Sequence, residues 1–124
     1  MARVLTLTAD LLFGSRIQAA LGVAGHEVEL VGDEDALRGA LGVAPHEPLV
    51  LIVDVVDEQL DGSAVLERLR ADEQLGEMVS TLAYYSHVDV EARRRAEAAG
   101  FDQVVPRSRM AREGAELVRE LLAA

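Results

Sequence analysis

Short apolar runs alternate along the chain with segments whose apolar residues recur at helical spacing. Val4 to Leu7 reads as a strand. Phe13, Ile17, Ala20, Leu21 and Ala24 then trace one helix face, and Gly25 is placed to cap its end. Val28 to Val31 is a second strand. Asp33 is a good N-cap for a short helix carrying Ala36, Leu37, Ala40 and Leu41. Pro45 and Pro48 punctuate the loop before Leu49-Val50-Leu51-Ile52-Val53, an unbroken apolar run that predicts a strand covered on both faces. Asp61-Gly62 opens a helix with Val65, Leu66 and Leu69 inward. Val79 to Tyr84 is the fourth strand. Val88 to Ala99 is an Arg- and Ala-rich helix closed by Gly100. Gln103 to Val105 is the fifth strand, and Leu117, Val118, Leu121 and Leu122 stripe the last helix.

Strict alternation of strand and helix predicts an α/β fold with a parallel sheet, helices on both faces and right-handed crossovers. With five strands the expected architecture is flavodoxin-like, a (βα)5 three-layer sandwich with strand order 2-1-3-4-5. Its ligand site lies at the carboxyl ends of the first and third strands, which places Thr8, Ala9, Asp10 and Asp54 there.

Composition narrows the chemistry. At 124 residues the chain is read as one domain, residues 1–124. It has no Cys, which excludes disulfides, thiol catalysis and Cys-ligated metals and fits a cytoplasmic setting. The longest strongly apolar run, Leu49 to Val53, is too short to span a membrane, and the N-terminus lacks a secretory signal layout. A net charge of −10 argues against nucleic acid as a partner. All 12 basic residues are Arg, so no Schiff base or phosphate-loop lysine can exist here. A loop rich in glycine and hydroxyls, as flavin phosphate needs, is missing from Thr8-Ala9-Asp10-Leu11-Leu12. His26, His46 and His87 are scattered. Ser86, His87 and Asp89 share one loop and cannot readily form a hydrolytic triad; Ser86-His87-Val88-Asp89 reads instead as a helix-capping box.

Asp54 ends the most apolar strand, where an unpaired carboxylate is costly and seldom idle. Asp61-Gly62 follows it seven and eight residues on. Ala98-Ala99-Gly100-Phe101-Asp102 precedes the fifth strand, Arg3-Val4-Leu5 opens the first, and Gly25-His26-Glu27-Val28 leads into the second. In this register the chain resembles, over essentially its whole length, the CheY-like receiver domains of bacterial response regulators. The resemblance implies that Asp54 stands at the phosphoacceptor position.

The same register exposes departures. Receivers end their first strand with two acidic residues that hold Mg²⁺. Thr8 and Ala9 occupy those places, and Asp10 comes one residue late, where it suits helix capping. The switch hydroxyl falls on Tyr85, with Ser86 next to it. The lysine of the fifth strand falls on Arg107, with Pro106 one residue early. The loop after Asp54 reads Val55-Val56-Asp57-Glu58, adding acids where a phosphoryl dianion would approach. An aromatic that reports switching has no counterpart, since Val104 stands nearest its place. Phosphoryl transfer to a carboxylate relies on a metal and a cation. The resemblance therefore implies a pseudo-receiver, a stand-alone and non-catalytic signalling module that acts through protein–protein contact without phosphorylation or cofactor. Its degenerate pocket comprises Thr8, Ala9, Asp10, Val56, Tyr85, Ser86 and Arg107, with Asp54 expected in a permanent salt bridge to Arg107. The alternative is a phosphorylatable single-domain response regulator of a two-component system, using Asp54 and Mg²⁺.

Arg93, Arg94 and Arg95 in the fourth helix, with Arg109 and Arg112 beside the start of the fifth, make a candidate partner surface. Histidine kinases and downstream signalling proteins are the partners the resemblance implies, and a homodimer through the face of helix 4, strand 5 and helix 5 is a further arrangement. The bland reading of the same arginines is a solvated helix paired to Glu91 and Glu97.

Overall fold

The computed structural model describes residues 2–43 and 47–124, so Pro45 and His46 lie outside the described residues. Ten elements alternate: β1 (Arg3–Leu7), α1 (Leu11–Val23), β2 (Glu27–Val31), α2 (Glu34–Leu41), β3 (Leu49–Asp54), α3 (Gly62–Ala71), β4 (Val79–Tyr85), α4 (Val90–Ala99), β5 (Gln103–Pro106) and α5 (Arg107–Ala123). The strands form one parallel sheet in the order β2-β1-β3-β4-β5, the flavodoxin-like order expected from the sequence. Every residue of β3 is buried, as its unbroken apolar run requires of a central strand.

Alternation along the strands splits the core into two layers. Leu5, Leu7, Leu51, Val53, Ala83 and Tyr85 pack under α2, α3 and α4. Val4, Val50, Ile52, Leu82, Tyr84 and Val105 pack under α1 and α5, against Phe13, Ile17, Leu21, Leu117 and Val118. Consecutive residues therefore serve opposite layers, and this parity decides which tyrosine reaches the site.

Helix starts follow their caps. Asp10, Asp33, Asp61 and Asp89 each accept a hydrogen bond from the backbone N–H three residues on. For α4 this corrects the expected capping box. The cap is Asp89, the helix begins at Val90, and Ser86 contributes only a carbonyl that accepts from the Asp89 N–H at 2.8 Å. The expected apolar stripes also trim. Ala20, Ala24, Ala36 and Leu122 face solvent.

Two of the recognised motifs have structural causes. A Cβ on Gly62 would lie 2.4 Å from Val53 Cγ1 and 2.8 Å from the Asp54 carbonyl oxygen, so only glycine lets α3 start this close to the end of β3. Asp102 ties β5 to β4. Its carboxylate accepts from the Thr81 backbone N–H at 2.8 Å and from Thr81 Oγ1, which in turn accepts from the Asp102 N–H. Gly100 ends α4 at φ +95°, a left-handed conformation that suits glycine. Among the described residues, no helix is long and apolar enough to cross a membrane.

Candidate functional site

Asp54 sits at the carboxyl end of β3, only 3 % exposed. One carboxylate oxygen accepts from Thr8 Oγ1 at 2.7 Å, and the other accepts from the Val56 backbone N–H at 2.7 Å. Thr8 Oγ1 also accepts from the Asp10 N–H at 3.0 Å, which fixes the loop after β1. Both oxygens of Asp54 thus have neutral donors. Among the described residues, no basic side chain forms an ion pair with it.

Arg107 does not make the salt bridge to Asp54 expected from the sequence. Its guanidinium donates to Asp10 Oδ2 at 3.0 Å and lies 4.4 Å over the Phe13 ring. The reason is the early proline. Pro106 closes β5 with φ −62°, and α5 starts at once with Arg107. The side chain therefore leaves from a first helical turn, toward the N-terminus of α1, and the cation–π contact adds to the charge pairing there. Asp10 caps α1 through its other oxygen, to the Phe13 N–H.

The tyrosine at the site is Tyr84 rather than Tyr85. Asp54 pairs with Tyr84 across the β3–β4 ladder, and Tyr85 and Ser86 do not line the cleft. Tyr85 turns into the opposite core layer, and half-buried Ser86 follows the strand. Tyr84 is 1 % exposed and stacks at a tilt on Phe13, with ring centroids 5.0 Å apart. Its hydroxyl is buried without a well-formed hydrogen bond, although it lies within electrostatic reach of Asp54 and Thr8. Burial first, and then the Asp54 charge, push the phenol well above its ordinary pKa, so it stays protonated.

A cleft of about 270 Å³ opens over this arrangement, lined by Ala9, Asp10, Asp54, Val56, Asp57, Tyr84 and Arg107. Asp57 is one of the acids that the sequence places in the loop after Asp54, whereas Tyr84 stands in the place expected for Tyr85. Pairing β4 directly against Asp54 brings Tyr84 to the site, and strand parity sends Tyr85 to the opposite core layer. A larger cleft of about 610 Å³ lies between the β3–α3 loop and α4, with Asp57, Glu58, Asp61, Asp89 and Glu91 on its walls beside Arg94 and Arg95.

The residues at Asp54 do not fit Mg²⁺. Thr8 and Ala9 supply no carboxylate, and both oxygens of Asp10 are engaged, by Arg107 and by the cap of α1. Among the described residues, no three His, Asp or Glu side chains converge on a common metal position.

Each arginine of the candidate partner surface has an acidic neighbour. Arg93 pairs with Glu97, Arg94 with Glu91, and Arg95 with Asp61, while Arg109 and Arg112 both meet Glu113. The expected basic patch is therefore a surface of exposed ion pairs and not of free cations. His87 is exposed. His26 is half-buried, and its Nδ1 accepts from the Ala2 N–H at 3.2 Å.

The fold is that of the CheY-like receiver domains. Solved structures with this fold include the chemotaxis protein CheY4 of Vibrio cholerae, with TM-score 0.80, 20 % identity, and coverage of 98 % of this chain and 99 % of that one. A receiver domain protein from Clostridium thermocellum gives TM-score 0.81 at 15 % identity, covering 99 % and 95 %. A two-component response regulator from Clostridium difficile gives TM-score 0.80 at 11 % identity, covering 99 % and 97 %. No protein-family model matches the sequence, and no curated protein matches it.

Proposed function

We propose that this chain is a receiver-fold signalling module that works through protein–protein contact, with its Asp54 site held in one state and not switched by phosphorylation. The observation that carries this reading is the disposition of Asp54. Its two oxygens accept only from neutral donors, Thr8 and the Val56 N–H, and the cation that would offset charge in phosphoryl transfer, Arg107, is turned away to Asp10. Transfer to a carboxylate gains its rate from cations placed where charge develops, and each lost contact of that kind slows it by about a hundredfold or more. The signalling role rests on fold neighbours described as a chemotaxis protein and a response regulator receiver domain protein. The α4–β5–α5 face, with Arg93, Arg94 and Arg112 exposed and Arg109 half-buried, offers ion pairs that a partner's carboxylates can exchange into.

Backbone amide NMR spectra with and without acetyl phosphate and Mg²⁺ test the proposal. The expected result is superposition of the two spectra at Thr8, Val56 and Tyr84. Shifts at these residues that spread to α4 and α5, and vanish in Asp54→Asn, would reinstate a phosphorylatable regulator.

A further inference from the structure

The Asp54 cleft has an unbalanced set of groups. Asp54 is a buried carboxylate held only by neutral donors. Asp57, on the same wall, accepts from the Gln59 N–H at 2.9 Å and makes no ion pair with a described residue. Arg107 and Asp10 cancel each other. Tyr84 lines the cleft, and its buried hydroxyl has no well-formed hydrogen bond among the described residues. A buried anion lacking a counter-cation, and a buried hydroxyl lacking a partner, are both unfavourable until something supplies them. One group serves both, a cation with several N–H donors on a slender stem.

We propose that the Asp54 cleft is a receptor for a primary ammonium group, carried into it by a lysine side chain of a partner protein. An ammonium offers three donors around a compact charge, to be shared among Asp54, Asp57 and the Tyr84 oxygen. The space is ample, since about 270 Å³ compares with roughly 30 Å³ per water. A guanidinium fits less well, because its planar fork is larger and spreads its charge. A protein is the better source than a free amine because Leu11 and Leu12, directly after Asp10, are 73 % and 77 % exposed at this same end of the sheet. Large apolar side chains held in solvent beside a charged cleft suit macromolecular docking. The proposal rests on the reading of Asp54 as an unphosphorylated site. It names the partner chemistry of that site.

The test titrates the 124-residue chain with n-butylammonium chloride and with Nα-acetyl-lysine methylamide, at constant ionic strength, following the backbone amides of Val56 and Asp10. Tetramethylammonium, Nα-acetyl-arginine methylamide and MgCl₂ are the comparisons. Saturable shifts with both primary ammonium probes are expected, at least tenfold weaker with the arginine and tetramethylammonium compounds, and absent in Asp54→Asn. Tyr84→Phe keeps the fold and loses one acceptor, so it should weaken binding about tenfold. No saturable shift in a folded protein, or the same shift in Asp54→Asn, overturns the proposal. Binding of butylammonium but not of the capped lysine overturns the lysine and leaves a free amine. Tighter response to Mg²⁺ than to either ammonium overturns it in favour of a metal. Phosphorylation with acetyl phosphate, scored separately by mass, would overturn the reading beneath it without deciding the ammonium titration.

Discussion

Thr8 anchors the Asp54 carboxylate without neutralising it. Its hydroxyl donates to one carboxylate oxygen while accepting from the Asp10 N–H, so removing it strips two contacts from a buried site. Thr8→Val keeps the shape and should cost about 1.5–3 kcal/mol, read as a lower urea midpoint with unchanged slope. Tyr84→Phe should do the reverse. It removes a buried hydroxyl that lacks a proper partner, so its urea midpoint should match or exceed that of the unaltered protein. A marked destabilisation would show that the hydroxyl is bonded in solution. Asp54 itself was legible in the sequence, because a carboxylate closing five apolar residues is conspicuous. Its partners were not. The choice between Tyr84 and Tyr85 depends on strand parity, and the direction of Arg107 depends on the helix starting one residue after an early proline.

At the scale of elements, the pattern of apolar positions predicted every strand and helix, because each lies against one of two core layers and keeps the period its layer imposes. The boundaries that shifted were those decided by capping, as where Asp89 and not Ser86 starts α4. The tightest junction is β3 to α3. Gly62→Ala would press a Cβ into Val53 and the Asp54 carbonyl, and should destabilise by about 1–3 kcal/mol while shifting the Val56 amide resonance. An unchanged urea midpoint would mean that α3 can retreat from β3 at no cost. The last helix, α5, is interrupted at Glu113, whose φ of −126° is not helical. The adjacent Gly114 admits Met110 Cε to 3.0 Å of where a Cβ would stand, so the bend accompanies close packing of Met110.

For the molecule as a whole, the −10 charge coexists with an orderly use of arginine. Among the described residues, ten of the twelve arginines form ion pairs with carboxylates, so most of the basic charge is paired within the fold and the excess is acidic. Glu34 is the hub of one such network, bonded to Arg38 and Arg68, with Arg38 reaching on to Asp72. Hydrogen bonds from Arg68, and then from Arg38, hold the Glu34 carboxyl below its usual 4.5. The folded state then binds fewer protons than the unfolded chain near that pH. Glu34 therefore adds stability above about pH 4.5 that is lost as the pH falls through its depressed folded value. Glu34→Gln should flatten this acid limb of the stability curve, by a modest amount because the pairs are largely solvated. His26 works in the opposite sense within its own range. Partial burial lowers its pKa below 6.5, so the unfolded chain takes up the proton first, and stability declines as the pH falls through about 6.5. His26→Gln should remove that decline.

The central question is whether Asp54 accepts a phosphoryl group. Intact mass of the protein after incubation with acetyl phosphate and Mg²⁺, beside Asp54→Asn treated identically, measures this directly. The arrangement of Thr8, Val56 and Arg107 predicts one unshifted peak in both samples. A stoichiometric phosphate adduct in the unaltered protein alone would contradict it.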